Sequence, residues 1–381
     1  MRAPTLFLFA VIPAKAGVHG RPYNVARTPG QGSGLANRLH VARLLYPGPR
    51  LGASISMARR LSLVPRPSSL RNFALMSSLP IYGLIGLPLA AVILVCYQAF
   101  TGDVSMFNVG MCLVGVVLTE FGITFAYHRM VVHKAFEAHP VIKAITLAFG
   151  SMAFQGPVLH WASVHTKHHA HSDQDGDPHS PTIGGFIHAH FEWLLEMNSA
   201  SLDEVVNKWG ARYKKDPMLV WFTSTFLFWA VLSLIIPAVL GYMVGGWHGA
   251  WTGFLWGGLV RIFISSHVTW SVNSVCHFFG ARTYTTTDHS RNNPIVGLLA
   301  LGEGWHNNHH AFPSSAIHGL AWWQIDPTGF MIRLFERIGL VSKVTRIPES
   351  LMQKRRIDSQ HQALNVQTLA LTEEEEVLEE A

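Results

Sequence analysis

The sequence predicts an all-α integral membrane protein: four transmembrane helices in two hairpins, carrying a histidine-rich domain on the cytoplasmic side. Three observations predict it. Of the 381 residues, 49% are hydrophobic and only 14% charged, and mean hydropathy is +0.23, too charge-poor for an ordinary soluble chain. The apolar residues gather into long runs that come in pairs, each pair joined by a short loop. Histidines, 22 in all, concentrate in clusters beside the ends of those runs.

Residues 1–75 stand apart from the rest. The opening MRAPTLFLFAVIPAKAG has the outline of a signal peptide, with an apolar core of only about eight residues. The stretch after it is rich in Gly, Pro, Ser and Arg without periodicity, the composition of a disordered segment. It is a cleaved leader, translated sequence upstream of a natural start at Met57 or Met76, or a basic arm (Arg59, Arg60, Arg66, Arg71) lying on anionic lipid. The second reading fits best, because no later motif needs the segment.

Residues 76–345 form the membrane domain. Residues 79–100 run without a charge, enough to cross a hydrocarbon core that takes about 20 helical residues. A second run, 106–127, holds one charge, Glu120, and ends at His128. Residues 141–162 are apolar but interrupted by Gln155-Gly156-Pro157, and read as a re-entrant or interfacial helix. A polar stretch, 165–216, precedes the second hairpin, 219–243 and 251–275. Arg261 lies inside its last span, where it either pairs with Glu120, snorkels or serves a site. Residues 346–381 are a polar tail with an acidic run at Glu373–Glu376.

Charge placement orients the spans. The loops 101–105 and 244–250 contain no Lys or Arg, whereas the histidine-bearing segments carry Arg129, Lys134, Lys167, Lys208, Arg212, Lys214, Lys215, Arg282 and Arg291. The positive-inside rule therefore puts the histidines and both termini in the cytoplasm. Four spans bring every cluster to one side; three would split them. Cys96, Cys112 and Cys276 sit in apolar runs and make no disulfide framework or zinc-finger spacing. The net charge of +6 fits an anionic membrane face or an acidic substrate, and no nucleic-acid-binding motif accompanies it.

The clusters carry the chemistry. His306, His309 and His310 stand at i, i+3 and i+4, positions that share one arc of a helix at about 100° per residue, so all three could face one centre. His165, His168 and His169 repeat that spacing. His128 and His133 are five apart, about 140° apart on a regular helix, so they share a site only if the helix ends between them or they serve two metals. Converging neutral imidazoles are metal-ligand chemistry, suited to iron, copper and zinc. Asp173, Asp177 and Glu303 lie near enough in sequence to orient imidazole N–H groups or, equally, to cap loops. The remaining histidines, His139, His160, His171, His179, His188, His190, His248, His267, His289 and His318, lie outside the spacings and are not expected to be ligands. Lys167, Arg282 and Arg291 could hold a substrate phosphate.

The set HRMVVH, HTKHH and GEGWHNNHH, with AHSDQDGDPHSP after the second cluster, resembles the membrane-bound fatty acyl desaturases, specifically the delta-9 acyl-CoA desaturase group of bacterial type. The similarity runs from about Ile81 to about Leu340 and includes an N-x-x-x-H motif, Asn273 to His277. The resemblance implies a non-haem di-iron centre held by His128, His133, His165, His168, His169, His277, His306, His309 and His310, with Asn273 contributing through a water. It implies an O2-dependent enzyme of the bacterial inner membrane, active site facing the cytoplasm, that puts a cis double bond at the delta-9 position of a saturated chain carried on CoA or phospholipid.

The ligand chemistry agrees with that implication. Taking hydrogen from an unactivated methylene needs an oxidant no side chain provides, and iron with O2 provides one. Zinc favours about four ligands and does no redox chemistry, so nine imidazoles fit two irons better. Electrons are expected from a separate ferredoxin, rubredoxin or cytochrome, because no His-Pro-Gly-Gly cytochrome b5 signature occurs. The alternative is a di-iron membrane alkane or acyl hydroxylase, which uses similar clusters; a metal transporter fits less well, since the histidines lie off the spans. One departure from the family is Glu192 before Trp193, where related enzymes carry glycine.

Overall fold

An uncharged apolar run satisfies its backbone away from water by closing its hydrogen bonds locally, and helices dominate accordingly. The computed structural model describes residues 68–102, 104–197 and 199–357. The expectations for the first 67 residues and for the acidic tail beyond residue 357 fall outside them.

Helix α1 spans Ser68–Thr101, and α2 spans Met106–Val132. The two are joined by a short loop but meet chiefly through a third partner. Ala91 and Val95 of α1 and Cys112 of α2 bury together with Leu255 and Val260, and Trp256 donates its indole N–H to Gln98. Phe226–Phe278 is an apolar helical run of 53 residues that folds back on itself at Gly245–Gly246, where the backbone leaves helical angles. A Cβ at Gly241 would lie 2.0 Å from the Gly249 carbonyl oxygen, and one at Gly253 2.2 Å from that of Pro237. These contacts pair an outgoing arm, 226–244, with an antiparallel returning arm, 247–278. Glycine is what lets the backbones approach so closely. Met106–Val132 and Phe226–Phe278 are the described helices long and apolar enough to cross a membrane.

The segment expected as one short helix over 141–162 is two. Helix α3, Pro140–Met152, stops where Phe154 and Gly156 take positive φ, and α4, Val158–His171, starts after Pro157. Proline opens a helix readily because its missing N–H would be unpaired there anyway. The break turns α4 so that the second cluster rides on its own helix.

Arg261 and Glu120 do not contact one another, and Arg261 does not snorkel. Arg261 is buried and donates to the Met152 carbonyl (2.8 Å) and to Ser233 (3.0 Å). Glu120 accepts from Thr269 at 3.2 and 3.3 Å. Each satisfies itself locally, as a polar group inside an apolar bundle must.

Among the described residues, strand pairing is confined to a two-residue antiparallel pair, Glu137–Ala138 with Val341–Ser342, and isolated bridges. That pair ties the end of α2 to the C-terminal segment, against which Phe125, Ala316, Ile317 and Ile332 pack.

Candidate metal centre

The last part of α2 is wound more loosely than an α-helix. From Gly122 to Val132 the turns are π-type, and the His133 amide donates to the His128 carbonyl five residues back. Residues five apart then lie over one another. His128 and His133 consequently point together, and the angular conflict expected from a regular helix disappears.

The nine histidines gather into two groups. In the first, the Nε2 atoms of His128, His133, His165, His169 and His309 close a ring, with successive separations of 3.1, 3.4, 3.0, 3.0 and 3.1 Å. In the second, His168, His277, His306 and His310 bring one nitrogen each within 4.8 Å of every other, and His277 and His306 approach to 3.0 Å. Neither triplet expected to face one centre does so. His165 and His169 stay together while His168 goes to the other group; His306 and His310 stay together while His309 crosses the opposite way. In both helices the i, i+4 pair is kept, and the i+3 residue is exchanged.

Carboxylates hold the outer nitrogens. Nδ1 of His128 meets Glu303 at 2.6 Å, of His168 Asp177 at 2.9 Å, of His277 Asp173 at 2.8 Å, and of His310 Asp288 at 2.7 Å. Such partners fix the ring so that Nε2 is the free donor. Burial alone would raise these acids. Instead the facing imidazoles and hydrogen bonds hold Asp173, Asp177 and Asp288 below the usual carboxylate range, and His128, His318 and Arg129 do so for Glu303. Burial, then the neighbouring imidazoles, pushes His133, His165, His169, His306 and His309 well below their ordinary value, and His310 falls to about 4. These six rings are therefore neutral near pH 7, the form that binds metal.

The donor set fits two metal ions. Imidazole nitrogens about 2.1 Å from one ion and at right angles to each other lie about 3 Å apart, and the closest nitrogens in each group show that spacing. His310 Nε2 is buried without a hydrogen-bond partner, its other nitrogen already committed to Asp288. Groups of five and four imidazoles with four carboxylates behind them are a donor set that would attract cations.

The frame around the groups is tied across the sequence. Arg129 is buried and donates twice to Asp326 (2.9 and 3.0 Å) and once to Glu303 (3.1 Å), joining the first cluster to the third. Asn307 caps the Thr283 and Tyr284 amides, and Asn308 binds Asn292, Gln324 and the His318 carbonyl. Asn273 lies one turn before His277 and lines an apolar cavity of about 560 Å³ that reaches His165, Trp161 and Trp270.

The three carboxylates singled out from sequence all bind cluster histidines. Asp288 was not visible there, since it sits in a Thr-rich loop with no spacing to mark it. Two histidines set aside also lie against the groups: His318 is 4.6 Å from His309 between ring centres, and His179 is 4.4 Å from His168. Arg282 and Arg291 bind loop carbonyls of Thr286, Asp288 and Gly280.

Residues 103–331, more than half of the chain, match the family model described as fatty acid desaturase. The chain belongs to the fatty acid desaturase family. Among its relatives, a hex-5-enoyl-[acyl-carrier protein] acetylenase of Moorena producens is 36% identical, over 65% of this chain and 80% of its own. An sn-1 stearoyl-lipid 9-desaturase of Anabaena variabilis is 36% identical, over 62% and 85%. An icosanoyl-CoA 5-desaturase of Limnanthes douglasii is 38% identical, over 66% and 69%. By name these desaturase relatives act on chains held by three different carriers, at nearly equal identity.

Proposed function

We propose that this desaturase is an O2-dependent enzyme that places a cis double bond, at the delta-9 position, in a saturated acyl chain carried on CoA or phospholipid. The observation that carries the reading is the division of nine histidines into groups of five and four beside an apolar cavity. Two irons would be held there, one by His128, His133, His165, His169 and His309, the other by His168, His277, His306 and His310 with Asn273 through a water. With O2 they supply the oxidising power that an unactivated methylene demands. The protein's own part is to position and to exclude water. The cavity walls of Trp161, Ile262 and Trp270 would hold the chain straight against the first group, and the carboxylates would fix the imidazoles.

The same reading has four spans, 79–100, 106–127, 219–243 and 251–275, within a working unit of 76–345. The histidine side faces the cytoplasm of a bacterial inner membrane, and electrons arrive from a separate ferredoxin, rubredoxin or cytochrome. The test is expression in a host without desaturases, followed by mass spectrometry of the fatty acids. Monounsaturated products with the double bond at carbon 9 are expected. Hydroxylated chains would instead make it a hydroxylase, and labelled acyl-CoA against labelled phospholipid, supplied to membranes, identifies the carrier.

A further inference from the structure

Outside the proposed spans, the segment from Pro294 to Ile332 is unusual for a polar-facing surface. It contains two charged residues, Glu303 and Asp326, and both are buried against Arg129. Apart from Ser314, what it exposes is apolar: Ile295, Leu298 and Leu299 on one short helix, then Trp322, Trp323, Ile325 and Phe330, with Trp322 97% exposed. Scattered exposed apolar side chains are ordinary, but here the two stretches are linked: the Trp305 ring lies beside Gly297 and edge-on to Trp323.

Two further observations say what covers it. The set is level with the histidine end of the spans. Val296 and Ala300 bury against Val272 and Cys276 of the returning arm, while Thr328 binds Thr124 of α2 at 2.7 Å and Phe335 packs edge-on to Phe125. The apolar surface thus continues outward from the helices themselves. The second is the helix Pro327–Arg337, which exposes an apolar stripe, Phe330, Leu334 and Ile338, flanked by the exposed basic pair Arg333 and Arg337. An apolar stripe edged by arginines is the pattern of a helix lying in a membrane interface, with basic side chains toward anionic headgroups.

We propose that residues 294–299 and 322–338 form an in-plane collar that sinks its aromatic and aliphatic side chains into the headgroup and acyl boundary of an anionic bilayer. The inference rests on the membrane reading above, and its experiment separates the two. The full chain, reconstituted in vesicles of phosphatidylcholine and phosphatidylglycerol, carries the photo-crosslinker p-benzoylphenylalanine at position 322 or 330. Position 93, on the outer face of α1, is the span control, and position 175, in the exposed turn after the second cluster, is the aqueous one. Lipid adducts at 322 and 330 should match those at 93 and exceed those at 175 by roughly tenfold, as burial in the interface requires. Adducts at 93 with none at 322 and 330, or crosslinks there to a second copy of the chain, overturn the collar and leave the spans standing. No adduct at 93 overturns both. Arg333→Ala with Arg337→Ala should also shift lipid adducts at 330 toward salt sensitivity lost, since the headgroup attraction is electrostatic; unchanged salt dependence removes the arginines from the inference.

Discussion

His128 and His133 are joined twice: the His133 amide donates to the His128 carbonyl at 3.1 Å, and their Nε2 atoms also lie 3.1 Å apart. The π-wound turns make the second fact follow from the first. A helix of ordinary pitch would have sent one of the two rings away from the centre.

The exchange of His168 and His309 between groups predicts which double substitutions leave one site whole. His306→Ala with His310→Ala spares all five histidines of the first group, so iron should fall from about two to about one per chain, measured on purified protein by mass spectrometry. His306→Ala with His309→Ala strikes both groups and should remove nearly all of it. Equal losses from the two pairs would mean that each cluster serves its own metal.

Asp288→Asn should weaken metal retention roughly 10- to 100-fold, the usual cost of losing a carboxylate behind a ligating imidazole. His310 would keep a hydrogen-bond partner but lose the charge that fixes its ring. The rate of metal loss to a chelator reads this directly, and a rate equal to that of the unaltered chain would remove Asp288 from the site.

Asn273 and His277 stand one turn apart and should behave differently. His277→Ala is expected to lose metal from the second group and all desaturation. Asn273→Ala should retain most of the metal and lose turnover, because only a water-mediated contact goes. An Asn273→Ala enzyme with normal product yield would leave that residue a purely structural part, worth about 1 kcal/mol.

Without metal, the centre should make the protein acid-sensitive. Five histidines titrate well below 6.5 when folded, so at pH 5 to 6 the unfolded chain binds more protons than the folded one. Their contribution to stability is present above about pH 6.5 and declines as pH falls below it. The depressed carboxylates act in the same direction at lower pH, from about 4 downward. Thermal midpoints of metal-free protein at pH 5.5 and 7.5 measure the slope, which should be positive.

Arg129 neutralises two buried carboxylates, and removing it leaves both without a counter-charge. Arg129→Met should cost about 3–5 kcal/mol, the range for breaking one side of a buried ion pair. Denaturant or thermal unfolding in detergent reads it, and a loss under about 1 kcal/mol would show that Asp326 and Glu303 find other partners.

Much of this molecule can be read from its residues. Uncharged runs and spacing mark the helices and eight of the nine histidines, because hydropathy and helical period are local properties; His277 stands alone in its run, and only the resemblance to the desaturases singles it out. The carboxylates Asp173, Asp177 and Glu303 could be named because they neighbour the clusters. Asp288 and His318 could not, since each reaches its histidine only through the tertiary fold. The winding of residues 122–132 was also hidden: π turns satisfy the same backbone groups as α turns, and no residue type in GITFAYHRMVV announces them. The division of each triplet escaped for a related reason, since which nitrogen faces which centre depends on the helix opposite.

That interchange of one histidine from each helix works like a two-key lock. Neither α4 nor the segment after Trp305 possesses all the histidines of either group, so a chain still emerging from the ribosome would have no finished pocket for the proposed irons. Occupancy becomes possible only when residues 140 positions apart, such as His169 and His309, have docked. On the proposed reading, metal loading would report that the whole polypeptide has reached its native arrangement, and a half-assembled molecule would be spared a redox-active ion it could not control.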